Sequence, residues 1–266
     1  KDHSTWNQAN KIEYVDPITG ENIRPSLKID PMNPGSDLAG EISAALTSSA
    51  LVYEKLSLID YSKTLLRYAK EIYSFAIKYK GVYHNSVPDA KNFYKSEGFN
   101  DELAWAAIWL YKATNEISYF NDAVTKFDEY LDEKYEKDPN YIPWNFFWND
   151  KSLGCAILLY EEYQKKFYEE IVDWKEGAKT YIDSKGQEHR IQPSQEIIRM
   201  LKYENYIGRY CSNARTEGKY TPKGLYFINN WASLRYAANA AFICLAFAEN
   251  PLKLRITPDK DIKNYH

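Results

Sequence analysis

Apolar residues along this chain fall into two kinds of segment that alternate. In the first kind, apolar residues occur on nearly every side of a helix, as at 101–113, 152–163 and 230–248. In the second kind, apolar residues form one stripe and leave a polar face, as at 60–79, 118–134 and 194–211. A helix that is apolar all round is buried, whereas a helix with one apolar stripe lies at a surface.

This alternation predicts an all-α toroid in which an outer ring of helices surrounds an inner ring. The helix expected at 37–53 is rich in small residues and joins the inner set. Segment 166–182 is amphipathic, whereas 1–36 and 183–193 indicate loops. We find no strong strand pattern beyond short apolar pieces such as 225–228. A helical-repeat solenoid is the rival, but its sequence would recur every roughly 34–47 residues. No such recurrence is present, so the toroid is favoured.

Composition narrows the classes of function. The formal net charge is −3, which indicates no general attraction to nucleic acid or acidic membranes. No apolar run approaches the ~18 residues expected of a membrane-spanning helix. The 24 Tyr, 11 Phe and 7 Trp are many for 266 residues. They indicate either a Tyr-rich core and surface or a cleft whose flat rings bind carbohydrate.

Cysteine and histidine patterns add little to this picture. The three cysteines, Cys155, Cys211 and Cys244, have no CxxC spacing, and the four histidines form no zinc motif. Cys155 and Cys244 lie in apolar helical segments, so we expect both to be buried thiols.

The buried helix at 101–113 begins with three polar residues, which we call its acidic mouth. Asn100 is a typical N-cap residue, and Asp101 and Glu102 follow it in the first turn. These two acids could complement the helix dipole, act as general acid and base, or bind calcium. Neighbouring carboxylates on a helix diverge by about 100°, which disfavours the catalytic interpretation. Calcium would take further oxygen ligands from the carbonyl groups of Glu97 and Gly98.

Five stretches carry motifs that resemble one known family. They are Asp-His-Ser-Thr-Trp at 2–6, Pro-Gly-Ser-Asp-Leu-Ala-Gly-Glu at 34–41, Gly-Phe-Asn-Asp-Glu-Leu-Ala-Trp at 98–105, Tyr-Thr-Pro-Lys-Gly-Leu at 220–225 and Trp-Ala-Ser-Leu-Arg-Tyr-Ala-Ala-Asn at 231–239. In this order they resemble glycoside hydrolase family 9, the inverting cellulases. Any one motif is weak, but the five together extend over nearly the whole chain.

The resemblance implies an (α/α)6 barrel that hydrolyses internal β-1,4-glucosidic bonds of cellulose with inversion. Such enzymes use two carboxyl groups ~6.5–9.5 Å apart. The family takes its base from an Asp-Ala-Gly-Asp motif and its acid from a Glu near the C-terminus, and neither motif occurs here. We therefore expect residues 1–266 to be the central part of one catalytic domain, with an incomplete barrel, no catalytic residue and no activity alone. The parent is expected to be secreted, and it could carry carbohydrate-binding or docking modules.

The same resemblance implies a set of residues that contact glucan. His3 would donate or accept hydrogen bonds, and Trp6, Trp144 and Trp231 would stack on sugar rings. Arg235 and Tyr236 would bind sugar hydroxyl groups or support the catalytic carboxylates.

Each of these assignments has a structural alternative. His3 and Trp6 could be terminal residues without a role. Arg235 could form a buried ion pair while the neighbouring rings belong to the core. Trp148, four residues after Trp144, could be core packing.

The resemblance also implies a calcium site. Similar family members bind calcium with the pair equivalent to Asp101 and Glu102, together with an Asp after the later Trp. That last position is Asn149 here, which keeps an oxygen ligand but lacks the charge and would weaken the affinity. Purely structural roles for these acids remain the alternative.

Two other classes of function stay open. A non-catalytic glucan-binding or scaffold module would keep this fold without an acid and base. A helical protein-interaction solenoid would not bind cello-oligosaccharides at all.

Overall fold

The computed structural model of the protein describes residues 8–12, 15–16, 18–21, 27–176, 180–190 and 192–249. Helices dominate this part of the chain, and short 3-10 helices occur at Ala9–Lys11 and Pro88–Asn92. The α-helices are α1 (Ser36–Lys55), α2 (Ile59–Lys78), α3 (Tyr83–Ser86), α4 (Asn100–Thr114), α5 (Ile117–Lys137), α6 (Ser152–Lys166), α7 (Tyr168–Glu176), α8 (Gln195–Thr216) and α9 (Ser233–Ala248).

The long helices form an arc with an inner and an outer layer. Helices α1, α4, α6 and α9 follow one another along the inner side, and α2, α5 and α8 cover them from outside. The inner helix α4 is almost wholly buried, and Leu103, Ala104, Ile108 and Leu110 have no exposed surface. The predicted alternation of buried and amphipathic helices is therefore confirmed.

Small residues let the inner helices approach closely. A Cβ atom on Gly40 of α1 would come within 2.8 Å of the carbonyl oxygen of Glu102 in α4. Contact at that distance would force the backbones apart, so glycine sets the spacing between α1 and the start of α4. The acidic mouth of α4 is thus covered by the backbone of α1.

The two inner helices at the ends of the arc each keep an apolar face exposed. On α1 this face includes Ile42 and Val52, and on α9 it includes Leu234, Phe242 and Leu245. The inner helices between them, α4 and α6, bury nearly all their apolar residues. No described helix is both long and apolar enough to cross a membrane.

Two short antiparallel hairpins occur in the second half, where we expected no strong strand. Strands β1 (Thr180–Ile182) and β2 (Glu188–Arg190) pair between the end of the amphipathic segment 166–182 and the predicted loop 183–193. Strands β3 (Lys219–Tyr220) and β4 (Tyr226–Phe227) form the second hairpin. Asp183 caps the first turn by accepting hydrogen bonds from the backbone N–H groups of Lys185 and Gln187, a local effect that the sequence period does not reveal.

The cysteine prediction was half right. Cys155 is a buried thiol whose Sγ faces the carbonyl oxygen of Asp101 at 3.3 Å. Cys244 is instead bonded to Cys211, which joins α9 to α8 across a Cα–Cα distance of 5.7 Å. The pairing depends on the packing of two helices and could not be read from either helix alone.

Candidate functional site

The acidic mouth predicted for α4 is a buried cluster of three carboxylates. Asp101 and Glu102 expose 3% and 2% of their surface, and Asp150 joins them from the loop before α6. We call Asp101, Glu102 and Asp150 the acidic cluster. The helix begins one residue earlier than predicted, because Phe99 takes the N-cap position and Asn100 is already helical.

Backbone and hydroxyl donors satisfy part of this cluster. Asp101 Oδ2 accepts a hydrogen bond of 2.8 Å from the backbone N–H of Lys151. Asp150 Oδ2 accepts one of 3.0 Å from the hydroxyl of Tyr130. Glu102 Oε2 is buried and has no hydrogen-bond partner among the described residues. Since an unpaired buried acceptor costs about 1–3 kcal/mol, a cation or a proton at this oxygen would be stabilising.

The electrostatics of the cluster follow from burial. Loss of water first, and then the nearby charge of Asp150, raise the pKa of Asp101 to about 6. Burial first, and then the charge of Asp101, raise the pKa of Glu102. Burial also raises the pKa of Asp150, against the hydrogen bonds from Ser152. The cluster therefore favours positive charge beside it or protons on it.

A cavity of about 410 Å³ lies next to these acids. Its lining combines the carboxylates of Asp37, Glu41 and Glu102 with aromatic rings and Arg235. Asp37 is fixed by hydrogen bonds that it accepts from the backbone N–H groups of Leu38 and Tyr83, both at 2.9 Å. The site is thus an acidic hollow with an aromatic border.

Five aromatic rings form a continuous row beside the hollow, and we call them the aromatic cluster. Its members are Tyr94, Trp144, Phe147, Trp148 and Tyr236. Successive ring centroids lie 5.6 Å apart from Tyr94 to Trp148, 6.0 Å from Trp148 to Phe147, 4.9 Å from Phe147 to Trp144 and 4.8 Å from Trp144 to Tyr236. Trp144 and Trp148 are 43% and 37% exposed, so their rings are open to a ligand.

Most glucan-contact predictions can now be located. Trp144 and Tyr236 meet in the aromatic cluster, although Tyr236 is only 6% exposed. Arg235 lines the hollow and donates a 2.8 Å hydrogen bond to the Tyr236 hydroxyl. Arg235 forms no ion pair among the described residues, so the buried-ion-pair alternative is wrong there. Trp148 lines the hollow, which contradicts its interpretation as core packing.

The remaining glucan-contact predictions have different outcomes. Trp231 is 69% exposed and precedes α9 rather than lying within it, because the helix begins at Ser233. His3 and Trp6 fall outside the described residues, so their predicted roles stay predictions.

Two of the oxygen atoms predicted to bind calcium accept hydrogen bonds in the loops around α4. The Gly98 carbonyl accepts a 2.7 Å hydrogen bond from the Ser96 hydroxyl, and Asn149 Oδ1 accepts one of 3.2 Å from the Glu97 N–H. The Glu97 carboxylate is exposed and faces Lys134 at 3.9 Å. Within the described ranges, no group of three or more His, Cys, Asp or Glu side chains is arranged to hold a metal. A site here would therefore need backbone and amide oxygens.

Sequence reasoning missed several residues that build this site. Asn145 is fully buried, donates to the Tyr236 carbonyl at 3.0 Å and accepts from the Tyr210 hydroxyl at 2.9 Å. Asn239 donates to the Phe146 carbonyl at 2.7 Å. Polar residues inside aromatic or Ala-rich stretches were the available signal, but their partners are 65 to 93 residues away.

Comparison with known proteins defines the class first and then the family. The fold is similar to the termite endoglucanase of Nasutitermes takasagoensis (TM-score 0.66, 34% identity, 89% of this chain and 45% of that one). It is also similar to the cellulase Cel9M of C. cellulolyticum, solved with cellobiose (TM-score 0.62, 26% identity, 95% and 47%). The described arc is therefore part of an (α/α)6 barrel of the glycosidase class. The model of glycosyl hydrolase family 9 matches residues 1–265, and the chain belongs to that family.

Sequence relatives agree with this assignment. Endoglucanase 15 of Arabidopsis thaliana is 32% identical over 252 residues, which are 93% of this chain and 42% of the relative. Endoglucanase B of Cellulomonas fimi is 33% identical over 249 residues, again 93% of this chain but 20% of the relative. The chain thus spans less than half the length of these relatives.

The acidic cluster should make the stability of the protein depend on pH when a metal chelator is present. Asp101 has an ordinary pKa of 3.8 and a folded value of about 6, so the folded protein retains a proton that the unfolded chain has lost. Its stability contribution is complete below the ordinary value and declines as the pH rises to about 6. Urea denaturation across this range should show that the free energy of unfolding falls as the pH rises, by at most about 1.4 kcal/mol per pH unit.

Asp101→Asn should flatten that decline, and Asp173→Asn on the exposed side of α7 should leave it unchanged. An Asp101→Asn protein with the wild-type slope would contradict the assignment of the decline to this carboxyl group.

Proposed function

We propose that the chain forms the glucan-binding wall of an endo-β-1,4-glucanase that hydrolyses internal bonds of cellulose with inversion. By this wall we mean the aromatic cluster together with the acidic hollow beside it. The observation that carries this proposal is the row of partly exposed rings beside an acidic hollow. Flat apolar rings bind the CH faces of sugars, while carboxylates and Arg235 can bind the hydroxyl groups at their edges. The endoglucanase and cellulase names of the relatives support the choice of β-1,4-glucan.

We assign neither acid of the α4 mouth a reacting role. Asp101 and Glu102 are adjacent in the first helical turn, and an inverting pair needs a water between carboxyl groups ~6.5–9.5 Å apart. The family's reacting motifs do not occur among residues 1–266, so catalysis is a proposal for the parent enzyme. Because cellulose is extracellular, we propose that the parent acts outside the cell; appended binding modules remain part of the same proposal.

Binding of cellohexaose tests this wall directly. Trp144→Ala removes an exposed ring worth about 0.5–1.5 kcal/mol in stacking, so calorimetry should give a two- to tenfold weaker Kd. Trp144→Phe should keep part of the affinity. Tyr61→Ala removes an exposed ring on α2 and serves as the matched control.

Equal losses in the Tyr61→Ala and Trp144→Ala proteins, or no binding by the wild type, would contradict the proposed wall. Binding by a parent that releases no reducing ends from cellulose would favour the non-catalytic glucan-binding module instead.

We also propose a structural calcium ion at the start of α4. Its ligands would be the carboxylates of Asp101 and Glu102, the carbonyls of Glu97 and Gly98, and the Asn149 amide oxygen. Support comes from the unpartnered Glu102 Oε2 and from the raised pKa values of both acids, which a cation would reverse. Glu102 and Asn149 line the same hollow. Calcium would neutralise part of the negative charge of the buried acidic cluster. It would thereby hold the loops at 97–98 and 149 against the start of α4.

Thermal unfolding with calcium or chelator tests this site. Calcium at about a hundred times its Kd should stabilise the wild type by about 2.7 kcal/mol. Glu102→Gln should abolish that gain. Glu97→Gln should preserve it, because the proposal uses only the backbone carbonyl of that residue. A gain that survives in the Glu102→Gln protein would refute the site.

A further inference from the structure

Lys151 lies where three parts of the wall meet. Its side chain is almost fully buried, and its ammonium group forms an ion pair with Glu41 Oε1 of α1. The same ammonium donates a hydrogen bond of 2.5 Å to the Phe147 carbonyl. Its backbone N–H donates to Asp101 Oδ2 in α4. One residue therefore joins α1, α4 and the loop before α6.

The Phe147 carbonyl is a central point of the aromatic cluster. The backbone N–H and C=O groups of Phe147 pair with those of Asp150 at 3.1 and 3.2 Å, which closes a tight turn. The Phe147 ring lies against Trp144, Trp148 and Tyr236 at centroid distances of 4.9, 6.0 and 6.1 Å. A movement of this turn would therefore displace both exposed Trp rings.

We propose that Lys151 is a positioning residue for glucan. Its ammonium ties the Phe147–Asp150 turn to Glu41 on α1 and so holds Trp144 and Trp148 in the orientation that stacks on sugar rings. This inference rests on the proposed glucan-binding function. Lys151 itself does not touch the sugar in this proposal; it acts through the Phe147 carbonyl.

The choice of a charged residue at this position supports the inference. A buried ion pair is seldom more stabilising than apolar side chains of the same volume. An apolar pair would fill the space between α1 and the loop, but it could not bond to the Phe147 carbonyl. The bond from Lys151 therefore provides geometry that packing alone does not.

The experiment separates positioning from folding. Lys151→Met alone leaves the buried Oε1 atom of Glu41 without its partner and should lower the Tm. The double variant Glu41→Leu/Lys151→Met removes both charges, and its Tm should return close to the wild-type value. Three quantities are measured on the wild type and on both variants: Tm, cellohexaose affinity, and the fluorine NMR shifts of fluorotryptophan at positions 144 and 148.

The inference predicts that the double variant folds but binds cellohexaose about tenfold more weakly, with shifted resonances for both Trp residues. If Lys151 only stabilises the fold, the double variant will keep the wild-type resonances of both fluorotryptophans, whatever affinity it loses through Glu41, which itself lines the hollow. That result overturns the inference. Absence of binding by the wild type would instead overturn the proposed function and this inference with it. The two failures are thus distinguishable.

Discussion

Burial of carboxylates at the first turn of α4 is the constraint on which the rest of the wall depends. Gly40 lets α1 approach the backbone of Glu102 closely, and both Glu102 and its neighbour Asp101 have lost nearly all contact with water. Buried charges must be paired, hydrogen-bonded or protonated. The loop before α6 supplies the Lys151 N–H to Asp101 and encloses the cluster with Asp150. The position of that loop is therefore fixed by its contacts with the buried carboxylates at the start of α4.

The same loop carries the chemistry that faces a ligand. Once its backbone is held at the acidic cluster, its aromatic residues must lie along the border of the hollow. Asn145 and Asn239 join the loop to α9, and Lys151 joins it to α1. The row of rings is thus held from both sides by polar contacts, which is what a preorganised sugar-binding surface requires.

The layered helices could be predicted from the sequence, because apolar residues around α4 and α6 have no other place than the inside of a large helical protein. Arg235 could be found through the motif at 231–239, and Trp144 through the family resemblance. The long-range partners that hold the site together could not be predicted from the sequence. Glu41 and Lys151 are far apart in the chain, and Cys211 pairs with Cys244 only because α8 and α9 pack together. Long-range pairs follow from packing, which periodicity does not encode.

A crystal structure of the protein with bound cellohexaose would test the central claim most directly. The account predicts sugar rings whose CH faces lie roughly 4 Å from the exposed rings of Trp144 and Trp148, a normal contact distance for apolar atoms. It also predicts hydroxyl groups within hydrogen-bond distance of Arg235 or the carboxylates of the hollow. Sugar bound on another face, with the aromatic row bare, would contradict it.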